Sequence, residues 1–144
     1  MNPHDTFKRD LKDGKRVERK HLSLIQKVFP DTYIIDGYCK EWDLFMPTFG
    51  MGVEVKYDKM SQKTGNIIVE TEFNNKVSGL STTKSTWWVF DTGQEHMVVH
   101  IDKLKELLKN YSVCSLIGRG DSKPKKAYLI PIDKVRDIKN NWYD

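Results

Sequence analysis

The spacing of the hydrophobic residues changes near residue 30 of this 144-residue chain, and this change constrains the fold more than any other feature. Between Lys15 and Phe29 apolar side chains recur three and four residues apart, which predicts an amphipathic helix. From Tyr33 onward short runs alternate with a period of two, which predicts β-strands. A helical stripe and a strand face each need a partner that buries them. We therefore expect an α/β or α+β fold with a central mixed sheet flanked by helices.

Turn and capping residues set the expected boundaries of these elements. Asp13-Gly14 separates a short first helix over residues 6–12 from the main helix, with Asp13 as the N-cap, and Pro30 ends the main helix. The later elements are expected in this order: strands at residues 33–36, 41–46, 53–57, 66–72, 86–90 and 97–101, a helix capped by Asp102, a hairpin of residues 113–117 with 127–132, and a last helix from Asp133.

Length and composition favour one domain over residues 1–144, without disulfides and without a membrane partner. A chain of 144 residues has the size of a single domain. No apolar run approaches the ~18 residues that a membrane span needs, and the first residues lack a signal-peptide pattern. Two cysteines are too few for a disulfide framework, which favours a reducing intracellular compartment. The four histidines show no zinc spacing with the cysteines, so they are not predicted to bind metal.

Two carboxylates and a lysine carry the clearest chemical signal in the sequence. Asp43 lies in one predicted strand, and Glu54 and Lys56 lie two residues apart, on the same face, in the next strand. Carboxylate oxygens are the ligands that Mg²⁺ prefers, and the backbone carbonyl of Val55 is a candidate third ligand. A bound metal activates water and neutralises charge on a phosphate, while a lysine can orient or activate that water or support the developing charge. The set therefore predicts a magnesium-dependent phosphodiester hydrolase.

The bare acid-x-Lys pattern is weak evidence, because it occurs six times in this chain. Only Glu54-Val55-Lys56 lies in an alternating strand that follows, after a turn, another apolar strand, the one that carries Asp43. The alternative is an exposed sheet face on which Asp43 and Glu54 pair with Lys56 and contribute a few tenths of a kcal/mol.

The stretch from Glu41 through Lys56 resembles the core of the PD-(D/E)XK nuclease superfamily. Position 42 holds Trp where the motif has proline, and Glu18 matches the acid often found on the first helix of that fold. Residues 76–88 resemble a segment of short nucleases from bacteriophage genomes. The resemblance implies a restriction-endonuclease-like core and a Mg²⁺-dependent DNA endonuclease, with Mn²⁺ able to substitute, whose products carry a 5′-phosphate and a 3′-hydroxyl. It also implies the cytoplasm of a bacterial host if the chain is phage-encoded.

Candidate DNA-binding residues lie outside the acidic set. Lys84, with Ser81 and Thr82, is a candidate for the scissile phosphate, mostly on the strength of the resemblance; the alternative is a helix cap with a solvated lysine. Residues 8–27 carry a local charge of +5 and residues 119–126 carry +3, which suits contacts to the DNA backbone. Solvated surfaces are the alternative for both segments. The candidates in these two segments are Lys15, Arg16, Arg19, Arg119, Lys123, Lys125 and Lys126.

Branched DNA such as a Holliday junction is the first expectation for the substrate, because the chain is too short for a separate sequence-reading module. Single-stranded DNA and ordinary duplex DNA, including a homing role, stay open, as does a catalytically silent DNA-binding protein. A homodimer is expected if both strands are cut. The roles of Asp36, Glu70 and Glu72 are left open.

Overall fold

The computed structural model describes residues 3–37, 41–117 and 123–143. Its helices are α1 (Pro3–Gln26), α2 (Ser61–Thr64), α3 (Ile101–Leu108) and α4 (Ile132–Ile138), with one 3₁₀ turn at Gly79–Ser81. Its strands are β1 (Tyr33–Ile34), β2 (Leu44–Met46), β3 (Met51–Tyr57), β4 (Asn66–Phe73), β5 (Lys76–Val77), β6 (Trp87–Asp91), β7 (His96–His100), β8 (Cys114–Ile117) and β9 (Pro124–Pro131).

A five-stranded mixed sheet confirms the predicted fold class. Its strand order is β1-β2-β3-β6-β7, and every neighbouring pair is antiparallel except β3 with β6. In the parallel pair Glu54 is opposite Trp88 and Lys56 is opposite Phe90. The chain is therefore a mixed α+β fold.

A second, four-stranded sheet was not expected from the sequence. Its order is β5-β4-β9-β8, and all its pairs are antiparallel. The predicted hairpin of β8 with β9 is confirmed, but β9 also pairs with β4, which lies about 60 residues earlier in the chain. The Asp58 carboxylate fixes the start of this sheet, because it accepts hydrogen bonds from the backbone N–H groups of Ser61 and Ile68.

The first helix differs from the prediction, because α1 runs without a break through Asp13-Gly14. Gly14 costs such a helix only about 1 kcal/mol relative to alanine, and tertiary packing of the apolar stripe outweighs that cost. Val17 and Ile25 are buried against the mixed sheet. Asp13 does not act as an N-cap and instead pairs with Lys59 and Arg16. No helix in the described ranges is both long and apolar enough to cross a bilayer.

The N-cap of α3 also differs from the prediction. The helix begins at Ile101, and the His100 side chain accepts a hydrogen bond from the backbone N–H of Asp102. Asp102 therefore lies in the first turn, where its charge favours the helix dipole.

Strand β6 divides the core into two layers. Trp88 and Phe90 pack in a cluster with residues of β4, β9, α3 and α4, while Val89 packs in a cluster with residues of α1, β2 and β3. The adjacent Trp87 packs against this second cluster. The mixed sheet thus lies between α1 on one face and the second sheet with α3 and α4 on the other.

Two glycines should respond to alanine in opposite directions. Gly79 has a φ of +52°, and a Cβ there would collide with the carbonyl oxygen of Glu70. We expect Gly79→Ala to lower the free energy of unfolding by about 1–3 kcal/mol. Gly14, in mid-helix with nothing within 4 Å of a built Cβ, is the matched control. Gly14→Ala should raise the free energy of unfolding by about 0.5–1 kcal/mol. Urea denaturation of both variants measures the difference, and a stable Gly79→Ala protein would contradict the described backbone.

Candidate active site

A cavity of about 640 Å³ lies between α1 and the start of the mixed sheet. The cavity is lined by Glu18 of α1, by Asp43, which directly precedes β2, and by Glu54 of β3. Three acids that are far apart in the sequence thus lie around one space. Lys15 and Arg19 of α1 also line this cavity, so cationic side chains border the acidic set.

Asp43 is held rigidly by backbone hydrogen bonds. The Asp43 N–H donates to the carbonyl of Val53, and the Asp43 carbonyl accepts a hydrogen bond from the Ile35 N–H. The Asp43 backbone therefore connects β3 to the residue that follows β1. Its side chain is 5% exposed, and Oδ2 accepts a hydrogen bond of 2.7 Å from the backbone N–H of Val55. A carboxylate that is already fixed in this way loses little conformational freedom when it binds a cation.

Lys56 forms an ion pair with Glu54, with Nζ 3.1 Å from Oε1, and its ammonium lies 5.7 Å from the ring centre of Trp88. Burial alone would lower the pKa of Lys56. The carboxylates of Glu54, Asp43 and Glu70 outweigh that effect and raise the pKa above its ordinary value. Lys56 is therefore an ammonium group at neutral pH, a hydrogen-bond donor and not a proton acceptor.

The three acids do not form a closed carboxylate cage. In the described part of the chain, Glu18, Asp43 and Glu54 do not bring one oxygen each within 4.8 Å of one another. Mg²⁺ is usually held by one or two carboxylates and keeps several of its waters. Asp43 and Glu54 are the donors that would hold such an ion, and Glu18, which lines the same cavity, would contact one of its waters. The Val55 carbonyl stays a predicted ligand; the contact present in the structure is from its N–H to Asp43.

A pair of stacked aromatic rings lies beside Asp43. The Trp42 and Phe45 rings are 4.8 Å apart at an angle of 21°, and both side chains are half-buried. Trp42 packs over Gly52, where a built Cβ would lie 2.8 Å from the Trp42 Cβ. The glycine at position 52 therefore makes room for the Trp42 side chain.

The basic residues predicted on the first helix divide into two groups. Lys15 and Arg19 line the cavity. Arg16 does not; its guanidinium lies 5.8 Å from the Tyr57 ring centre and 3.7 Å from the Asp13 carboxylate. Arg16 is thus a weaker candidate for DNA contact than Lys15 and Arg19.

The Lys84 segment lies near the acids but not in the cavity lining. Lys84 is exposed and pairs at 3.0 Å with Glu41, two residues before Asp43. Ser81 ends the 3₁₀ turn, and Thr82 follows it as the C-cap. Both are exposed and reachable by a large polyanion.

The basic residues of the last hairpin are placed on the second sheet. Lys125 and Lys126 lie in β9, with Nζ atoms 3.8 Å from Glu70 and 3.4 Å from Glu72, respectively. Lys123 is exposed just before β9. Arg119 lies outside the described residues. The ion pairs reduce the positive charge that this hairpin can offer to DNA.

Sequence reasoning left several site residues open or unnamed. Asp36 lines the same cavity as Asp43, and so does Asp10 of α1. Glu70 contributes to the raised pKa of Lys56 and accepts a 2.8 Å hydrogen bond from Ser78. Asp36 lies in a turn and Asp10 lies on a helix, where acids are common. No sequence signal therefore separates these two residues from solvated acids.

Comparisons with protein-family models, with curated proteins and with solved structures find no match to this chain.

Proposed function

We propose that the protein is a Mg²⁺-dependent DNA endonuclease of the PD-(D/E)XK type. The observation that carries the proposal is the convergence of Asp43, Glu54 and Glu18, from separate elements, on one cavity with Lys56 paired to Glu54. An ordinary exposed sheet face would not need a buried aspartate or an acid contributed by the helix. This convergence favours the metal site over the alternative of surface ion pairs.

Asp43 and Glu54 would hold Mg²⁺ in this cavity, and Mn²⁺ would take the same oxygen donors. The metal supplies Lewis-acid stabilisation of charge on the phosphate and lowers the pKa of a bound water. Glu18 faces the same space and would fix the orientation of a water by hydrogen bonding. The hard carboxylate donors fit such an ion, while the described geometry leaves room for its waters.

Lys56 would stabilise negative charge on the phosphate and orient the attacking water. Its ammonium, 3.1 Å from Glu54 Oε1, is the group that would give this electrostatic support. Water adds to phosphorus as the P–O3′ bond breaks, and the 3′-oxygen takes a proton. The products carry a 5′-phosphate and a 3′-hydroxyl, which is the outcome that the resemblance implies.

Lys15 and Arg19 would hold the DNA backbone beside the acids. We expect Lys15→Gln combined with Arg19→Gln to weaken duplex binding and to reduce the slope of log K against log salt by about 0.9 for each DNA phosphate that is no longer neutralised. Fluorescence anisotropy between 50 and about 200 mM salt measures this slope. Lys103→Gln combined with Lys105→Gln on α3 is the matched control, because neither residue lines the cavity. Equal salt slopes for the two double variants would contradict the role of the α1 residues.

Branched DNA, such as a four-way junction, is the substrate that we favour. The stacked rings of Trp42 and Phe45 beside Asp43 offer faces on which an unpaired base can stack. A homodimer would allow symmetric cuts in two strands. A preference for single-stranded DNA or for ordinary duplex, as in a homing enzyme, would replace this substrate without changing the site.

The test incubates the protein with labelled linear duplex, nicked, single-stranded and four-way DNA, in Mg²⁺ or in EDTA. We expect Mg²⁺-dependent cleavage that is lost in EDTA, with the junction cut at symmetric positions. Binding of DNA without cleavage of any substrate would instead identify a catalytically silent DNA-binding protein.

A further inference from the structure

Three metal-ligating side chains meet where α1 approaches the mixed sheet, outside the lining of the acidic cavity. His21 of α1, Asp91 of β6 and His96 of β7 each place one ligand atom within 4.8 Å of the others. We call these three residues the His–Asp cluster. His21 and Asp91 are buried, and His96 is half-buried. Asp is almost never fully buried unless it is paired, so a buried Asp91 beside a buried His21 is not an ordinary surface acid.

We propose that the His–Asp cluster is a second metal site, which binds one Zn²⁺ or a similar borderline transition-metal ion. Two imidazole nitrogens and one carboxylate oxygen are a donor set that zinc accepts readily and that Mg²⁺ does not favour. The proposal does not depend on nuclease activity, because none of the three residues lines the acidic cavity.

The surrounding hydrogen bonds hold the ligands in a suitable arrangement. Gly93 N–H donates to Asp91 Oδ1 at 2.8 Å, which leaves Oδ2 facing His21 at 2.7 Å from Nε2. The Tyr143 hydroxyl bonds to the other ring nitrogen of His21, Nδ1, at 2.8 Å. Metal-bound histidines usually make such a bond through the second nitrogen, which fixes the ring orientation.

The protonation state of His21 also suits a metal ligand. Burial lowers the pKa of His21, although the hydrogen bond to Asp91 opposes this effect, so the imidazole is neutral at pH 7. A neutral ring has one proton, which would move from Nε2 to Nδ1 when the metal binds. The Tyr143 oxygen would then accept a hydrogen bond from Nδ1–H, and the Tyr143 hydroxyl would no longer donate to His21.

Lys20 is the competitor for this site. Its Nζ lies 2.9 Å from Asp91 Oδ2, the oxygen that the metal would take. The Lys20 side chain is 47% exposed, so the ammonium can swing into solvent when a metal arrives. A cation that occupies the carboxylate weakens metal binding but does not block it. Removal of this charge should therefore strengthen the binding.

An occupied site would tie the helix to the sheet. Its ligands come from α1, β6 and β7, and Glu18 lies one turn before His21 on the same helix. Three protein ligands leave a fourth position for water, and the bound metal would fix the helix that carries an acid of the candidate active site.

The test measures Zn²⁺ binding to the full chain by isothermal titration calorimetry after EDTA treatment and dialysis. Co²⁺ absorption in the visible range reports tetrahedral ligation independently. The measurements are made in an Asp43→Asn background, so that the acidic cavity does not contribute. We expect one Zn²⁺ per chain, at least about tenfold weaker affinity in His96→Asn, and about three- to fivefold tighter affinity in Lys20→Met. His100→Asn, on the same strand as His96, is the matched control and should bind as the parent does.

Several results would overturn the proposal. They are absence of Zn²⁺ binding to the parent chain, unchanged affinity in His96→Asn, or unchanged or weaker affinity in Lys20→Met. His96 and Lys20 are partly exposed, and thermal melts in EDTA establish that their variants fold. Zn²⁺ binding together with no DNA cleavage by the wild-type chain would contradict the proposed nuclease and leave this site intact. DNA cleavage by a chain that does not bind Zn²⁺ would contradict this site alone.

Discussion

Asp43→Asn should reduce Mg²⁺-dependent DNA cleavage by about a thousandfold or more. The change keeps the size of the side chain, and the amide oxygen can still accept the hydrogen bond from Val55 N–H. What it removes is the fixed negative charge that would hold the metal. Loss of a contribution of about 4 kcal/mol to the transition state corresponds to this factor. Single-turnover cleavage with excess enzyme measures the rate, and circular dichroism shows that the fold is retained.

Asp133→Asn is the matched control for this substitution. Asp133 is an exposed acid in the first turn of α4 and lies outside the acidic cavity. It should leave the cleavage rate unchanged within about twofold, since exposed surface charges contribute little. A cleavage rate that falls equally in both variants would show that general charge, and not the metal site, is responsible.

Lys56→Met is the second change with a large expected effect. It removes the ammonium that lies 3.1 Å from Glu54, while the unbranched methionine fills much of the same space. We expect the cleavage rate to fall by about 10²–10³-fold, the range for loss of one well-placed donor to charge that develops in the transition state. DNA affinity should change little, because the Lys56 charge is paired with the Glu54 carboxylate and is not one of the α1 charges, Lys15 and Arg19, that we expect to hold the DNA backbone.

A comparison of rate with affinity separates a catalytic lysine from a structural one. Lys56→Arg keeps the charge and should recover part of the lost rate. Lys63→Met, on the exposed surface of α2, is the control and should behave as the wild type does. A Lys56→Met protein that binds DNA poorly but cleaves bound DNA normally would contradict the proposed role.

Local sequence patterns predicted the elements well where the hydrophobic period was clear. Alternation around Val53 and Val55 predicted β3, and the helical stripe through Leu22 and Ile25 predicted most of α1. The break expected at Gly14 does not occur, because packing of that stripe outweighs a cost of about 1 kcal/mol. The pairing of β4 with β9 could not be predicted, since it depends on contacts between distant segments that no local pattern records.

The candidate site was predictable where its residues lie in neighbouring strands. Asp43, Glu54 and Lys56 are close in the sequence, and the strand register brings them together. Asp36 and Asp10 gave no signal, because acids in turns and on helices are common. The His–Asp cluster was missed for a different reason: its ligands on α1 and β6 are separated by 70 residues, so no spacing rule applies.

The central claim is that Asp43 and Glu54 hold the metal ion used for DNA cleavage. Its most direct test is single-turnover cleavage of a 5′-labelled four-way junction, with Mg²⁺ increased from zero, by the wild type and by Asp43→Asn. We predict no cleavage in EDTA, a rate that rises and saturates with Mg²⁺ in the wild type, and no detectable cleavage by the variant although it binds the junction. Cleavage by Asp43→Asn at the wild-type rate, or wild-type cleavage that persists in EDTA, would contradict the claim.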